Sequence, residues 1–439
     1  MLARLAEWNP FKTPEAKRLA ILFAVVYFAQ GMWYLPKQPI TIALKDRGLS
    51  AGQVADFFFI ATLPWLFKPI YGLVSDFVPL FGYRRRSYFV LTTSLASVAG
   101  LALAASDLVS GGTIRTGSLG AMTFTLVAGV WLYTLMGLGL AFGDVLTDAT
   151  MVENGRPLGL TGAFQSVQWA AITAASVIGG VLGGYLAGVR NLPLAFLIAA
   201  SFPLLSLFMI VRFVHETPTR RDRAAFGRTW VAIKSAFTER DVWTVAGFIF
   251  FFAFSPSFGP AFVFYQTDTL KFSQEFIGAM DSISAAGQVV GAFLYAPISR
   301  RLSLKRIIVW VIVGSSVGTL GFLLYRDHAS AIVISAVFGV FGIMALLGFL
   351  DLAAKACPKR VEATFFALLM SVYNAGMQVS ENVGARLYDV VGFPTLVVIS
   401  AVVTALALAL VPMVRIDRIE AKARAERAAL ATAEPARAG

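Results

Sequence analysis

Two aspartates, Asp144 and Asp148, stand one helical turn apart within a long apolar stretch of the sequence. Residues four positions apart lie on one face of a helix, so the two carboxylates are expected to lie close together. Their mutual repulsion favours keeping a proton on one of them. The spacing therefore predicts a proton-binding pair, and we assign proton coupling to these two residues.

Polar side chains at helical spacing also form stripes on other apolar stretches. Together they offer hydrogen-bonding groups, opposite charges and ring faces, which are the means of holding a polar organic solute. We therefore predict that these stripes line a water-filled path and bind substrate. The predicted substrate-binding residues are Gln30, Tyr34, Lys37, Gln165, Gln168, Trp169, Tyr373, Asn374, Gln378, Glu381 and Arg386.

Some charges in the apolar stretches also have a structural explanation. A charge at the bilayer centre costs about 2.5–3.5 kcal/mol on insertion scales, so each one needs a reason. Arg386 stands at the end of its stripe, where a long side chain can extend to the membrane surface. Asp56 and Asp281 suit gating as well as the lining of a cavity. The sequence leaves these alternatives open.

A separate group of charges lies at the predicted ends of apolar stretches. Asp76 precedes the consecutive arginines Arg84, Arg85 and Arg86, and Glu153 follows the Asp144/Asp148 pair. Opposite charges at helix ends form ion pairs that can hold one side of a path closed. We predict a gating role for these five residues.

The composition tells us what must position these side chains. The chain has 439 residues, of which 57% are hydrophobic and 14% charged, whereas soluble domains average about 25% charged residues. A bilayer is the solvent that suits such a chain. With one cysteine and two histidines, we expect no intrachain disulfide, no metal site and no cofactor. No nucleophile–base set indicates an enzyme.

Apolar stretches long enough to cross a membrane recur along the whole chain. A crossing helix needs roughly 20 apolar residues. The stretches predict an all-α membrane protein with twelve transmembrane helices. They cover about 19–44, 52–75, 87–107, 120–148, 160–187, 193–213, 242–267, 274–299, 306–325, 329–354, 362–387 and 393–414.

The positive charges predict the orientation. With the N-terminus inside, the inside segments hold 27 Lys and Arg residues and the outside loops hold six. Cytoplasmic loops of membrane proteins carry such an excess. We therefore expect a multi-pass protein of the cell (inner) membrane with both termini cytoplasmic. The net charge of +12 is explained by this topology, and we expect no nucleic-acid partner.

The chain also divides into two similar halves. Asp148 and Thr161 match Asp351 and Thr364 at one offset, and each pair flanks the loop after the fourth span of its half. Parallel six-helix repeats are typical of the major facilitator fold. The predicted segments are a cytoplasmic N-terminal segment 1–18, an N-lobe 19–213, an interlobe linker 214–241, a C-lobe 242–414 and a cytoplasmic tail 415–439.

Several motifs in order resemble the folate–biopterin transporter family of the major facilitator superfamily, and the resemblance covers nearly the whole chain. The matching stretches are KPIYGLVSD at 68–76, PLFGYRRR at 79–86, the Asp144–Glu153 segment, LKFS at 270–273, Cys357 to Thr364, Ser371 and Asn374–Gly376. This resemblance implies proton-driven uptake of a pterin- or folate-like solute.

A pterin offers an amino group and a ring N–H side by side, which a carboxylate accepts in bidentate fashion, and a folate tail is an anion. On this basis Asp144, Asp148 and Glu381 suit the ring, and Lys37 and Arg386 suit the tail. We expect alternating access by a monomer that takes up solute together with protons across the lipid bilayer, as a symporter. The alternatives are another cargo (a sugar, a zwitterion or a peptidoglycan fragment) and a ligand sensor without net flux.

Overall fold

The structure is a computed structural model that describes residues 10–119, 122–214, 237–357 and 362–422, with residue 425 and single positions between 214 and 237. Helices account for nearly all of this part of the chain. Ten helical segments in it are long and apolar enough to cross a membrane. The predicted linker and both chain ends lie largely outside the described residues.

The N-lobe consists of eight helices that form six crossing segments. Breaks near Trp33 and Leu63 divide two of these segments. The helices are α1 Pro14–Met32, α2 Lys37–Asp46, α3 Ala51–Thr62, α4 Lys68–Phe77, α5 Arg86–Ala104, α6 Val130–Leu158, α7 Thr161–Gly188 and α8 Leu192–Phe213.

The C-lobe follows with six helices and three short 3-10 or π turns. The helices are α9 Arg240–Ala253, α10 Gly259–Phe264, α11 Gln274–Arg301, α12 Leu304–Gly321, α13 His328–Ala356 and α14 Glu362–Leu410. The turns are Tyr265–Thr269, Phe322–Leu324 and Val411–Val414.

Two features explain why ten segments correspond to twelve predicted crossings. The helix α14 runs through two crossings, with a break at Gly392, whose φ of 75° is outside the helical region. The seventh crossing is interrupted between α9 and α10, where Pro256 follows Ser255. Proline lacks the N–H that would continue the helix. The Ser257 N–H donates instead to Ser380 Oγ of α14 at 2.9 Å.

The prediction that a helix begins at residue 120 is wrong. The strands β1 Ile114–Leu119 and β2 Met122–Val127 pair antiparallel as a hairpin, and α6 begins only at Val130. Thr123 and Thr125 alternate with apolar residues, which is the period of a strand. A hydropathy window averages over this alternation, so the strand residues score as apolar. The predicted helix is therefore extended towards the N-terminus to include them.

The lobes pack closely where α7 meets α11. A Cβ added to Gly278 would lie 2.2 Å from the Gly180 carbonyl oxygen, so only glycine permits this approach. Small residues at such crossings let membrane helices pack backbone to backbone. We call the end of the bundle that carries the hairpin the hairpin end. The opposite end, which carries Arg85 and Cys357, is the linker end.

Candidate functional site

The predicted proton pair lies on α6, and other helices of the N-lobe supply its partners. Lys68 Nζ of α4 lies 2.6 Å from Asp144 Oδ2. The Tyr27 hydroxyl of α1 donates to Asp148 Oδ1 at 2.5 Å. Asp144 is therefore balanced by a cation, and Asp148 is held by a neutral phenol. Neither partner is among the residues predicted from the sequence, although Tyr27 shares a helix face with Gln30 and Tyr34.

A second pair joins the two lobes. Lys37 Nζ of α2 lies 3.5 Å from Glu381 Oε2 of α14 and 5.7 Å from the centre of the Phe58 ring. The Lys37 side chain is nevertheless 42% exposed. A charge that faces the other lobe and stays exposed must border an open space between the lobes. We call this opening the central space. Its lining residues are Tyr34, Lys37, Glu381 and Asp281.

Asp281 completes the lining from α11. Its side chain is exposed, and it lies within electrostatic range of Lys37. Tyr34 is 47% exposed and lies within electrostatic range of Glu381 and Asp144. The structure thus brings Tyr34 from the break between α1 and α2, Lys37 of α2 and Glu381 of α14 together with an aspartate outside the predicted set.

The predicted glutamines differ in their surroundings. Gln30 and Gln168 are buried, and Gln30 Oε1 and Gln168 Nε2 have no hydrogen-bond partner among the described residues. A buried polar atom without a partner costs about 1–3 kcal/mol. Gln165 and Trp169 are exposed on α7. These two residues lie towards the linker end, beyond the close α7–α11 crossing.

The remaining predicted residues of α14 are half-buried. Tyr373 packs against the apolar core of the C-lobe, which includes Phe349 and Leu369. Asn374 and Gln378 lie on the same helix between Tyr373 and Glu381. All three precede Glu381 along α14, so they continue its stripe towards the linker end.

Arg386 has a set of partners at the hairpin end. Its guanidinium lies 2.6 Å from Asp56 Oδ1 of α3, and Asn382 Nδ2 donates to the same oxygen at 2.9 Å. The hairpin completes the group, because the Thr125 N–H donates to Asp56 Oδ2 and Arg386 donates to the Thr123 carbonyl. Asp56 is almost fully buried in this group, which favours the gating alternative for it.

Three more polar contacts link the lobes at the hairpin end. Asp389 accepts hydrogen bonds from Ser50 Oγ and the Gly52 N–H at the start of α3. Lys45 Nζ lies 2.7 Å from Asp268 Oδ1. The third contact is made by the Gln38 side chain, which donates to the Gln274 carbonyl at 2.9 Å. These contacts fasten the lobes together on this side of the central space.

The predicted gate at the linker end lies within the N-lobe. Arg85 contacts Asp76 Oδ1 at 2.5 Å and Glu153 Oε1 at 2.7 Å, and it donates to Ser75 Oγ. Burial lowers the pKa of the Arg85 guanidinium, but the hydrogen bonds and charges of Glu153 and Asp76 raise it by more. The net effect is a raised pKa, so the guanidinium stays charged. Three of the five predicted gating residues therefore meet in one cluster.

Arg84 and Arg86 take part through their backbones. The N–H groups of Arg84, Arg85 and Arg86 all donate to the Glu216 carboxylate at 2.9 Å. The first N–H groups of a helix have no partner within it, and a carboxylate satisfies them. The sequence analysis missed Glu216, since nothing in its local pattern links it to the start of α5.

The two ends differ in how their charges connect the lobes. In the described part of the chain, every ion pair between lobes lies in the central space or at the hairpin end. Near the linker end, the lobes touch through apolar side chains, where Leu73 packs beside Phe365 and Ile233. No His, Cys, Asp and Glu cluster suited to a metal ion occurs among the described residues.

Comparison with known proteins gives consistent relatives over most of the chain. The model of the BT1 family matches residues 30–433. A folate-biopterin transporter of Synechocystis is 33% identical over 396 residues, covering 85% of this chain and 75% of the relative. A probable folate-biopterin transporter 4 of Arabidopsis thaliana is 25% identical, covering 84% of this chain and 88% of the relative.

Solved structures agree on the fold. The nucleoside transporter NupG aligns with a TM-score of 0.69 at 13% identity, covering 92% of this chain and 100% of that chain. A POT family transporter in complex with 5-aminolevulinic acid aligns with a TM-score of 0.68 at 14% identity, covering 90% of this chain and 96% of that chain. The architecture is that of the major facilitator transporters, as the repeats predict.

Proposed function

The chain belongs to the BT1 family of membrane transporters, and we propose that it carries a pterin- or folate-like solute by alternating access coupled to protons. The observation that carries this proposal is the central space. It presents a cation, carboxylates and an aromatic ring between two lobes. A pterin has a donor edge and a flat face, and a folate adds an anionic tail, so each group of the solute meets a complement.

Alternating access requires that the contacts on the two sides of the solute form and break in turn. The hairpin-end contacts hold the lobes together on one side, and we propose that they separate when the solute site opens to that side. Because the solute path lies between two lobes of one chain, a monomer suffices. The proposed lobes are residues 19–213 and 242–414, joined by the linker 214–241.

The membrane orientation supports an inward path. Arg84–Arg86 and the other basic segments lie at the linker end, which positive-inside statistics place in the cytoplasm. We propose that the linker end, the segment 1–18 and the tail 415–439 are cytoplasmic in the inner membrane. The central space then reaches the cytoplasm past Gln165 and Trp169.

Asp148 is our choice for the coupling proton. Asp144 already forms an ion pair with Lys68, whereas the one partner that Asp148 has among the described residues is the Tyr27 hydroxyl. Two adjacent carboxylates next to one cation leave one negative charge unbalanced. A proton on Asp148 removes this charge, and its loss restores the repulsion with Asp144. Such a change of charge at the N-lobe wall can link proton release to lobe movement.

The proposal is tested by uptake into proteoliposomes. With an inward proton gradient, we expect wild-type protein to accumulate radiolabelled folate or biopterin above equilibrium, and Asp148→Asn to equilibrate it without accumulation. Asp46→Asn is the matched control, because that aspartate forms an exposed pair with Arg190 and is not a partner of Asp144, Asp148, Lys68 or Tyr27. Full accumulation by both Asp148→Asn and Asp144→Asn would contradict the proton assignment. Binding without any flux would indicate a sensor.

A further inference from the structure

Four carboxylates surround the central space or border it, and they differ in whether a protein donor satisfies them. Asp144 pairs with Lys68, Asp148 with Tyr27, and Glu381 with Lys37. Asp281 has neither a hydrogen bond nor an ion pair within 4 Å in the described part of the chain. It is thus the carboxylate of this site whose hydrogen-bonding capacity the protein leaves unused.

The backbone beneath Asp281 is held firmly. One turn before it, Gly278 packs directly on Gly180 and Gly184 of α7. The next residue, Ser282, donates from its hydroxyl to the Val177 carbonyl of the other lobe at 2.7 Å. Residues on both sides of Asp281 are therefore fixed by the α7–α11 crossing. The backbone that carries the carboxylate therefore has a defined position, which is a requirement for recognising a ligand group by geometry.

The charges around Asp281 indicate what kind of group it accepts. Lys37 is the nearby cation, and its closest carboxylate contact is Glu381 at 3.5 Å. Two carboxylates thus face one ammonium group, and one negative charge remains. An unbalanced charge within a membrane protein is costly and is kept where it has a function. The missing partner is a cation or a group with N–H donors.

We infer that Asp281 receives the N–H donor edge of the transported solute. This assignment rests on the proposed function. The edge of a pterin carries the 2-amino group and the N3–H side by side, and a carboxylate accepts both in bidentate geometry. The ring then lies between Asp281 and Lys37, with the exposed Tyr34 ring available to stack on its face. Asp144 and Asp148 remain available for the proton.

This assignment changes the roles predicted from the sequence. There, Asp144, Asp148 and Glu381 were the candidate acceptors for the ring, because nothing showed which carboxylates have donors of their own. In the structure those three do have donors. A ligand that donated to both oxygens of any of them would compete with Lys68, Tyr27 or Lys37 for the oxygen that this donor already contacts. Binding at Asp281 competes with no donor among the described residues.

The test compares two solutes in two proteins. Pterin has the 2-amino group, and lumazine carries an oxo group in its place, so lumazine offers one donor fewer to the carboxylate. Affinities are measured by ligand-dependent thermal shift and by calorimetry on the purified full-length protein. We expect wild-type protein to prefer pterin at least ten-fold, because a site built for a donor pair rejects an analogue that lacks one donor.

In Asp281→Asn, we expect pterin to bind at least ten-fold more weakly and the preference over lumazine to disappear. A merely structural role lowers both affinities equally and leaves their ratio unchanged, which would overturn the assignment. Glu275→Gln, an exposed residue in the first turn of the same helix, is the matched control and should keep the ratio. Asp281→Ser is the second variant and must show the same collapse of the ratio.

The outcomes separate the assignment from the proposed function. If wild-type protein binds and transports pterins and Asp281→Asn keeps the preference, only the assignment of Asp281 is wrong. If wild-type protein shows no shift and no uptake with any pterin or folate, the proposed function is wrong and the assignment falls with it.

Discussion

The two ends of the bundle use the same chemistry for different purposes. At the hairpin end, Arg386 of the C-lobe pairs with the buried Asp56 of the N-lobe. At the linker end, Arg85 pairs with Asp76 and Glu153, which all belong to the N-lobe. The first arrangement resists separation of the lobes, and the second keeps its contacts when the lobes separate. An arginine–carboxylate cluster at a helix end therefore does not identify a gate unless both lobes contribute to it.

Asp56→Asn should have the largest effect on this difference, because it leaves Arg386 without its buried partner. Removing one member of a buried charge pair at an interface costs about 2–5 kcal/mol. We expect the lobes to separate at the hairpin end in a large fraction of molecules. The measurement is pulsed electron paramagnetic resonance between spin labels at the exposed positions Val189 and Ala329, with Cys357 replaced by serine.

Asp46→Asn provides the control for this experiment. It breaks an arginine pair at the same end, but Asp46 and Arg190 both belong to the N-lobe. The label distance should stay as in the parent protein. Equal lengthening in Asp46→Asn and Asp56→Asn would remove the distinction between pairs within and between lobes.

Arg85→Ala should have the next largest effect, on stability rather than on lobe separation. Hydrogen bonds to charged groups contribute about 1.5–3 kcal/mol each, and Arg85 makes several. We expect a lower apparent melting temperature with an unchanged label distance at the hairpin end. Lys305→Ala, which breaks an exposed pair with Asp417, should lower the melting temperature less. A changed label distance in Arg85→Ala would show that this cluster also acts between the lobes.

Phe124→Ala tests the contribution of the hairpin. The Phe124 ring stacks on Phe59 at 6.0 Å and lies 5.8 Å from the Arg386 guanidinium. Aromatic pairs contribute about 0.5–1.5 kcal/mol beyond the area they bury. We expect a smaller shift towards the separated form than in Asp56→Asn. Thr116→Ala on the other strand, whose side chain is exposed, should not shift it, and an equal shift there would count against a specific role of the ring.

Lys45→Gln should give the smallest effect. Its pair with Asp268 joins the lobes, but the Asp268 side chain is 49% exposed. Exposed pairs contribute about 0.2–1 kcal/mol. The same label pair should report a slight broadening towards longer distances. A shift as large as that of Asp56→Asn would mean that burial does not set the strength of these contacts.

The sequence predicts the crossings well, because long apolar stretches and basic loops are read directly. It does not predict the hairpin, because strand alternation in residues 114–127 is weak beside the helix signal that follows. Nor does it identify the partners of Arg386 or Asp144. These contacts join residues far apart in the chain, such as Arg386 with Asp56 and Lys68 with Asp144, and local spacing contains no information on them.

The candidate site shows the same limit, because local spacing does not reveal which distant residues pair. Helical spacing puts Lys37 and Glu381 on polar stripes of two different spans, and the structure places them in contact between the lobes. Spacing did not show that Asp281 is the carboxylate left without a donor. That follows only from knowing the partner of every other carboxylate.

Two of the three ion pairs that join the lobes in the described part of the chain lie at the hairpin end, so the salt concentration of the surrounding medium matters most there. Dissolved ions screen exposed charges beyond a Debye length of about 8 Å at physiological ionic strength. The Debye length shortens, and the screening becomes stronger, as the ionic strength rises. Lys45, Asp268 and Arg386 are partly accessible to the solution at the hairpin end. Salt on that side weakens two of the ion pairs that join the lobes, whereas salt on the other side meets, among the described residues, pairs within a lobe and the Lys37–Glu381 pair of the central space. The resting equilibrium of this transporter is therefore more sensitive to ionic strength on the face of the membrane that carries the hairpin.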